Sequence, residues 1–291
     1  VKIKDLGESK IIEKIWEFLG RENENEDVHF FLQGNKYLLV AMDTLNENIH
    51  FRRDWDPFKI GKFLVDINMS DIISKNGLGL QMMASFTFPR DLDYDWVEGL
   101  TEGIFKELEK FKVTYEGGDM KEGEKISLTG LIIGEVEKGR EIRRKGVEPG
   151  DYIYITNKIG KQYLEYLKYL NGSSNGEGII DVDVSYDKLK NIMKYSPKAA
   201  MDDSDGPFKS LAILSNLNKV KIKLENNVCI VDDYKNCYSF GGDYELIFSS
   251  SIFTKDLPLL ARAYEGSGLY DFNNEPIELP GYEHYAFKKL K

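Results

Sequence analysis

The stretch Leu38-Leu-Val-Ala-Met-Asp43-Thr-Leu-Asn-Glu-Asn-Ile-His50-Phe51 decides how the chain is organised around its chemistry. An apolar run rich in strand formers reaches a carboxylate, then passes through a polar turn to a histidine. That pattern reads as a buried strand delivering Asp43 to the edge of a sheet, where side chains meet ligands. Just upstream, Val28–Leu32 and Tyr37–Met42 flank Gly34-Asn35 and read as a hairpin. Asp27 starts one of these strands and Asp43 ends the other, and antiparallel pairing makes those two ends neighbours.

Working outward, Asp56-Pro57 is a helix start, with Asp as cap and Pro in the first turn. Ile60, Leu64, Ile67, Asp71 and Ser74 then share one helical face, with Asn68 beside Asp71. A carboxylate on such a stripe is costly unless it is paired or bound to a metal. A capping or salt-bridged Asp near Asn76-Gly77 is the plainer alternative. Two carboxylates carried toward one place, Asp43 and Asp71, point to a cation between them.

The remaining pattern alternates helices and strands without an evident repeat. Ser9–Gly20 is an amphipathic helix, Leu80–Phe88 a strand stopped by Pro89, and Trp96–Lys112 a helix. Thr114 to Asp119 holds Gly117-Gly118, a pair that permits close backbone approach to a phosphate, although a plain turn is the commoner use. The strand Ile126–Ile133 follows. Charge density rises from Glu137 to Arg144, which places a domain boundary near residue 138 and divides the chain into 1–138 and 139–291. In the second part, Tyr152–Thr156 reads as a strand, and Lys161–Leu170 and Tyr186–Lys194 as helices. Asn171–Gly178 reads as the loop most prone to disorder. Asp202-Asp203-Ser204-Asp205 opens a helix at Pro207, and three Asp in four residues exceed what a cap needs. Val220–Leu224 and Cys229–Val231 read as strands, Phe240-Gly241-Gly242-Asp243 as a glycine turn feeding another strand, and Leu257–Tyr264 as a helix. The fold class is α+β.

With 291 residues and a net charge of −10, the chain lacks the cationic surface of a nucleic-acid protein or a polybasic membrane binder. An acidic protein still binds phosphates when metal ions bridge the like charges. No apolar run reaches the ~18 residues of a membrane span, and no apolar leader precedes the charged opening, so a cytoplasmic protein is expected. Cys229 and Cys237 are too few for a metal cage, and their strand-like surroundings favour free buried thiols.

No Walker loop, dinucleotide fingerprint or nucleophile elbow is present. His29, His50 and His284 have no metal-motif spacing. What remains is a scatter of acids at strand ends and helix starts: Asp27, Asp43, Asp71, Asp119, Asp202 and Asp205. Oxygen-only donors suit Mg²⁺ carrying substrate phosphates. Phosphoryl transfer needs charge neutralisation and alignment more than a protein nucleophile, which points to a kinase-like site without a Walker loop.

In order, Asp43–Leu45 with His50-Phe51, Asn68–Asp71, Gly117–Asp119, Arg144–Asp151, Ser204–Gly206, Asp243–Leu246 and Gly281–His284 resemble the motifs of the thiamine-monophosphate kinase family. That family belongs to the superfamily of aminoimidazole ribonucleotide synthetase. The resemblance implies a two-domain synthetase fold: an N-terminal sheet forming a homodimer interface, a C-terminal α/β sandwich, and ATP between them. It implies direct transfer of the γ-phosphate to thiamine monophosphate. Asp27, Asp43, Asp71, Asp119, Asp202 and Asp205 would hold Mg²⁺, with Asp43 and Asp205 at the chemistry. Gly117, Gly118, Asp119, Arg144 and Ser204 would bind the nucleotide, and His50 would lie at the substrate. Met42, Met120, Gly242 and Leu279 depart from the family's pattern. They motivate the alternatives: a non-catalytic relative that binds nucleotide, or a sibling enzyme with another small phosphorylated substrate.

Overall fold

A computed structural model describes residues 1–20 and 24–278. The expected Gly281–His284 motif and Leu279 lie outside the described residues. Two sheets carry the chain. The first has the order β1-β2-β5-β3-β4, from β1 (His29–Gln33), β2 (Lys36–Asn46), β3 (Leu78–Phe88), β4 (Thr114–Glu122) and β5 (Ser127–Glu137). All its neighbours are antiparallel except β3 and β4. The hairpin expected around Gly34-Asn35 forms, with His29 opposite Val40 and Gln33 opposite Lys36.

The second sheet has the order β11-β8-β10-β6-β9-β7. It is built from β6 (Tyr152–Ile155), β7 (Ala199–Asp202), β8 (Lys221–Leu224), β9 (Leu246–Ser250), β10 (Leu259–Tyr264) and β11 (Gly268–Tyr270). The helices are α1 (Glu8–Leu19), α2 (Pro57–Ser74), α3 (Tyr94–Phe111), α4 (Lys161–Leu170), α5 (Tyr186–Met193), α6 (Pro207–Asn218) and α7 (Tyr234–Phe240). The architecture is α+β. Among the described residues, no helix is long and apolar enough to cross a membrane.

Helix α2 is the element that positions the site. It starts as its sequence predicts, with the Asp56 carboxylate accepting the Phe58 N–H at 2.9 Å and Pro57 in the first turn. The single apolar face read from the sequence understates it, because most of its positions are buried. It packs on β2, β3 and β5 of the first sheet, on α3, and on β7 of the second sheet. A helix enclosed this way carries apolar residues around its whole circumference, so its pattern shows little one-sided bias. One hydrophobic core accordingly runs across both halves, joining Ile60, Leu64 and Ile72 to Tyr154, Ala200 and Phe248. A second core, around Ile153, Phe208 and Leu260, belongs to the second sheet alone.

Four expectations are corrected. Residues 259–264 form strand β10, not a helix. The strand lies between β8 and β6, covered on both sides, and an apolar run buried on both faces lacks the alternation that marks a half-buried strand. Residues 229–231 form no strand beyond an isolated bridge from Cys229 to Ile159. Cys237 lies on α7, and the two cysteines are joined in a disulfide instead of remaining free thiols. Finally, the loop at 171–178 takes defined turns. The Trp55 indole donates to the Asn175 carbonyl at 3.0 Å, and the Glu177 carboxylate accepts the Asp56 N–H at 2.9 Å, tying this loop to the start of α2.

Candidate active site

Alternation along β2 decides which side chains reach α2. Leu39, Ala41 and Leu45 are buried, so Asp43 shares their helix-facing side, whereas Met42 stands on the other face at 65% exposure. Asp71 approaches from α2, and the two carboxyl groups are in hydrogen-bonding contact. Asp202 arrives from the end of β7, held by the Ser70 hydroxyl at 2.8 Å. Asp27, just before β1, closes the group. Asp27, Asp71 and Asp202 each offer a carboxylate oxygen within 4.8 Å of the others.

The electrostatics show how strongly this gathering resists ionisation without a cation. Burial pushes Asp43 up to about 6, with the charges of Asp205 and Asp27 adding to it. Asp202 rises to about 7 through burial and the nearby Asp27. Asp71 goes well above the carboxylate range through burial and the charges of Asp43, Asp202 and Asp27. Withdrawal from water and mutual repulsion both favour the neutral acid. Among the described residues, no Lys or Arg forms an ion pair with Asp43, Asp71 or Asp202. Nearby, the buried Asn68 leaves its Oδ1 without a protein partner. Carboxylates without a cation, with an unpartnered amide oxygen beside them, are the donor set that suits Mg²⁺.

The acidic knot separates into distinct tasks. Asp202 joins the cluster, while Asp203 turns inward, fully buried, with Oδ1 accepting the Ser210 hydroxyl at 3.2 Å. Asp205 is close enough to raise Asp43 and pairs with Lys209 at 2.6 Å, one turn along α6. The N-cap of α6 is Gly206, so neither Ser204 nor Asp205 caps it. The Ser204 carbonyl instead accepts the Gly242 N–H at 2.8 Å, which fixes this turn against the Gly241-Gly242 turn. Arg144 donates to the Asp27 carboxylate and to the Asn25 side chain, and its Nε is left without a partner. His50 sits in the turn after β2, with Nδ1 accepting the Asn46 N–H at 2.9 Å.

The expected convergence of Asp119 does not occur within the chain. Gly117 and Gly118 form neither a loop nor a plain turn but a bulge inside β4, where the register slips between Met82 and Ala84. A Cβ on Gly118 would meet the Ala84 carbonyl oxygen at 1.6 Å, so only glycine fits there. Gly118 lies in the same row as Ala84, Gly130 and Asp43, but Asp119 lies in the next row with Ser85, Thr129 and Thr44. One residue of offset puts it on the opposite face. The three intervening strand spacings add roughly 14 Å. There Asp119 pairs with Lys121 at 2.9 Å, and this hydrogen bond holds its carboxyl below the usual range.

Sequence reasoning missed two residues. Tyr244 holds a left-handed backbone (φ 51°) and packs edge-on against Phe63. Burial and the charges of Asp43, Asp202 and Asp205 push its phenol well above the usual range. Its place just after the Gly241-Gly242 turn was the available signal. Lys75 is fully buried against Asp27 and Glu26, and nothing in its spacing announced it.

A family profile, AIR synthase related protein, N-terminal domain, matches residues 25–136. Thiamine-monophosphate kinase of Aquifex aeolicus is 27% identical over 98% of this chain and its own full length. Thiamine-monophosphate kinase of Buchnera aphidicola is 30% identical, covering 75% of this chain and 72% of that protein. The chain belongs to the thiamine-monophosphate kinase family. A solved member of the family, AaThiL complexed with AMPPCP and TMP, superposes with a TM-score of 0.88 at 26% identity, over 98% of this chain and 99% of that one. A HypE–HypF complex shares the fold at 16% identity and a TM-score of 0.76. Family membership thus rests on the relative 30% identical over three quarters of this chain, and Asp27, Asp43 and Asp71 lie within the span of the matched profile.

Proposed function

We propose that this thiamine-monophosphate kinase family chain transfers the γ-phosphate of ATP directly to the phosphate of thiamine monophosphate, with Mg²⁺ as the cation of its acid cluster. The observation that carries this reading is the meeting of Asp71 and Asp202 with Asp27 between the two sheets, with Asp43 in contact with Asp71. The full-length likeness to a relative solved with AMPPCP and TMP supports it. Bound Mg²⁺ would neutralise charge on the transferring phosphoryl group and on its acceptor.

The chain's own residues supply placement. Asp43 and Asp71 approach from β2 and α2 of the first half, and Asp202 from β7 of the second, so a nucleotide held by all three would bridge the halves. Both Asp43 and Asp71 are half-buried, which leaves the cluster open on one side to a ligand. Asp205 adds a carboxylate beside Asp43. The Gly242–Ser204 hydrogen bond keeps the backbone near it in place. Residues 1–138 would then form the metal and dimerisation domain and 139–291 the domain that completes the cleft. We assign the homodimer to the outer face of the first sheet, where Phe31, Met42 and Met83 stand exposed. Asp119 would lie at that face. The reaction would take place in the cytoplasm.

Incubation of the protein with Mg-ATP and thiamine monophosphate is expected to yield thiamine diphosphate and ADP in equal amounts. A folded protein that binds ATP and forms no product would overturn the reading and favour the non-catalytic alternative.

A further inference from the structure

We propose that Lys75 is a resident cation of the acid cluster: it fills the charge position beside Glu26 and Asp27, makes Asp27 an anchor instead of a ligand, and confines divalent metal to Asp43, Asp71 and Asp202. This rests on the Mg²⁺ reading above and narrows it.

Lys75 follows the last turn of α2 and is 0% exposed. Its ammonium has three N–H donors, and three acceptors surround it: Asp27 Oδ2 at 2.5 Å, Glu26 Oε2 at 3.1 Å and the Ala200 carbonyl at 2.8 Å. Every donor is used, as a buried ammonium requires. A cation is also favoured at this end of a helix, where carbonyls point outward. The Ala200 contact ties α2 to β7, so Lys75 joins the two halves of the chain at the floor of the site.

Asp27 is correspondingly occupied at three of its roughly four lone-pair sites. Its Oδ1 accepts from Arg144, and its Oδ2 accepts from Lys75 and from the Ser74 hydroxyl at 3.1 Å. Glu26 accepts the Arg144 backbone N–H through both oxygens, at 3.0 and 3.1 Å, and Lys75 through Oε2. Two carboxylates meet one ammonium and one guanidinium, and the local charge is balanced. Asp27 thus has two cations in direct contact, whereas among the described residues no Lys or Arg forms an ion pair with Asp43, Asp71 or Asp202. Distance alone would admit Asp27 to a metal site with Asp71 and Asp202. Charge decides against it, because a divalent ion on Asp27 would face an ammonium in the same buried pocket.

The test is Mn²⁺ binding without nucleotide, read by electron paramagnetic resonance. Wild-type protein is expected to bind Mn²⁺, D27N to bind the same number of ions, and K75M to bind one more per chain, with K75R restoring the wild-type number. Loss of an ion in D27N, or an unchanged count in folded K75M, would overturn the inference. Should K75M fail to fold, wild-type crystals soaked in MnCl₂ decide the matter. Anomalous density is expected at Asp71 and Asp202 with Asp27 still on Lys75, and density at metal–oxygen distance from Asp27 would overturn the inference. A wild-type protein that binds no Mn²⁺ at all would instead defeat the metal reading on which the inference stands.

Discussion

Asp71 and Glu245 are both acids carried into the interior, and they are provided for in opposite ways. Glu245, just before β9, accepts the Lys188 ammonium at 2.8 Å through one oxygen and the Thr156 hydroxyl through the other. Lys188 and Glu245 are both buried. Their pair is complete within the chain and ties α5 to the start of β9. Asp71 has Asp43, Asp202 and Asp27 as neighbours, and among the described residues the charge of Arg144 offsets them only in part and without an ion pair to Asp71. The first arrangement is architecture, since its charge is satisfied whenever the chain is folded. The second is a socket, because its charge is satisfied only when something from solvent arrives.

The largest effect that separates the two is expected from D71N. Removing this carboxylate should lower kinase activity on the order of 100-fold, the scale of losing one preorganised transition-state contact. The metal-free variant should melt higher than wild type, because like-charge crowding is relieved. Activity assays and thermal melts with EDTA check both. Wild-type activity in D71N would remove this residue from the socket.

K188M should show the reverse pattern. Breaking a buried pair by deleting one partner leaves an uncompensated charge and costs about 3 kcal/mol or more. Urea unfolding of K188M should therefore show a lowered midpoint that added Mg²⁺ does not restore. A melt rescued by Mg²⁺ would mean that Glu245 is also a metal-accessible acid, and the distinction would fail.

Much of this contrast was legible before the fold was known. Asp71 announced itself because it broke an apolar helical stripe, and Asp43 because it interrupted an apolar strand, although that strand continues past it to Asn46 instead of ending there. The hairpin register then followed from Gly34-Asn35. What sequence could not supply was pairing across distance. Lys75 was hidden because a lysine beside Asn76-Gly77 looks like an ordinary helix end, and its partners are about fifty residues upstream and over a hundred downstream. Lys188 met Glu245 across a similar gap. Asp119 was misplaced for a different reason. The bulge at Gly117-Gly118 fixes its row and therefore its face, and a bulge has no signature that separates it from a turn.

A smaller effect concerns pH. Asp43 and Asp202 have folded-state values near 6 and 7, above the ordinary carboxylate value, so the folded chain binds more protons than the unfolded one across that interval. The contribution of these two acids to the stability of the metal-free protein is then greatest in acid and is lost as pH rises through about 6 and then about 7. Mg²⁺ competes with those protons, so its affinity should rise over the same interval and the decline should flatten when it is present. Melting curves at stepped pH, with EDTA or with saturating Mg²⁺, measure both slopes. A metal-free melting temperature that climbs through this interval would contradict the uncompensated burial of these acids.

The smallest effect is expected from D119N, and that smallness carries information. Asp119 is an exposed acid on the outer face of the first sheet, paired with Lys121 and separated from Asp43 by three strand spacings and the thickness of the sheet. An exposed pair of this kind contributes little to stability. D119N should therefore leave the melting temperature and the Mn²⁺ affinity of the chain unchanged. If the outer face is where two copies meet, the same substitution should still alter dimer dissociation or turnover, because Asp119 then acts at a surface that one chain does not complete. A fall in Mn²⁺ affinity comparable to that of D71N would show that Asp119 reaches the socket, and the two faces of the sheet would no longer be chemically separate.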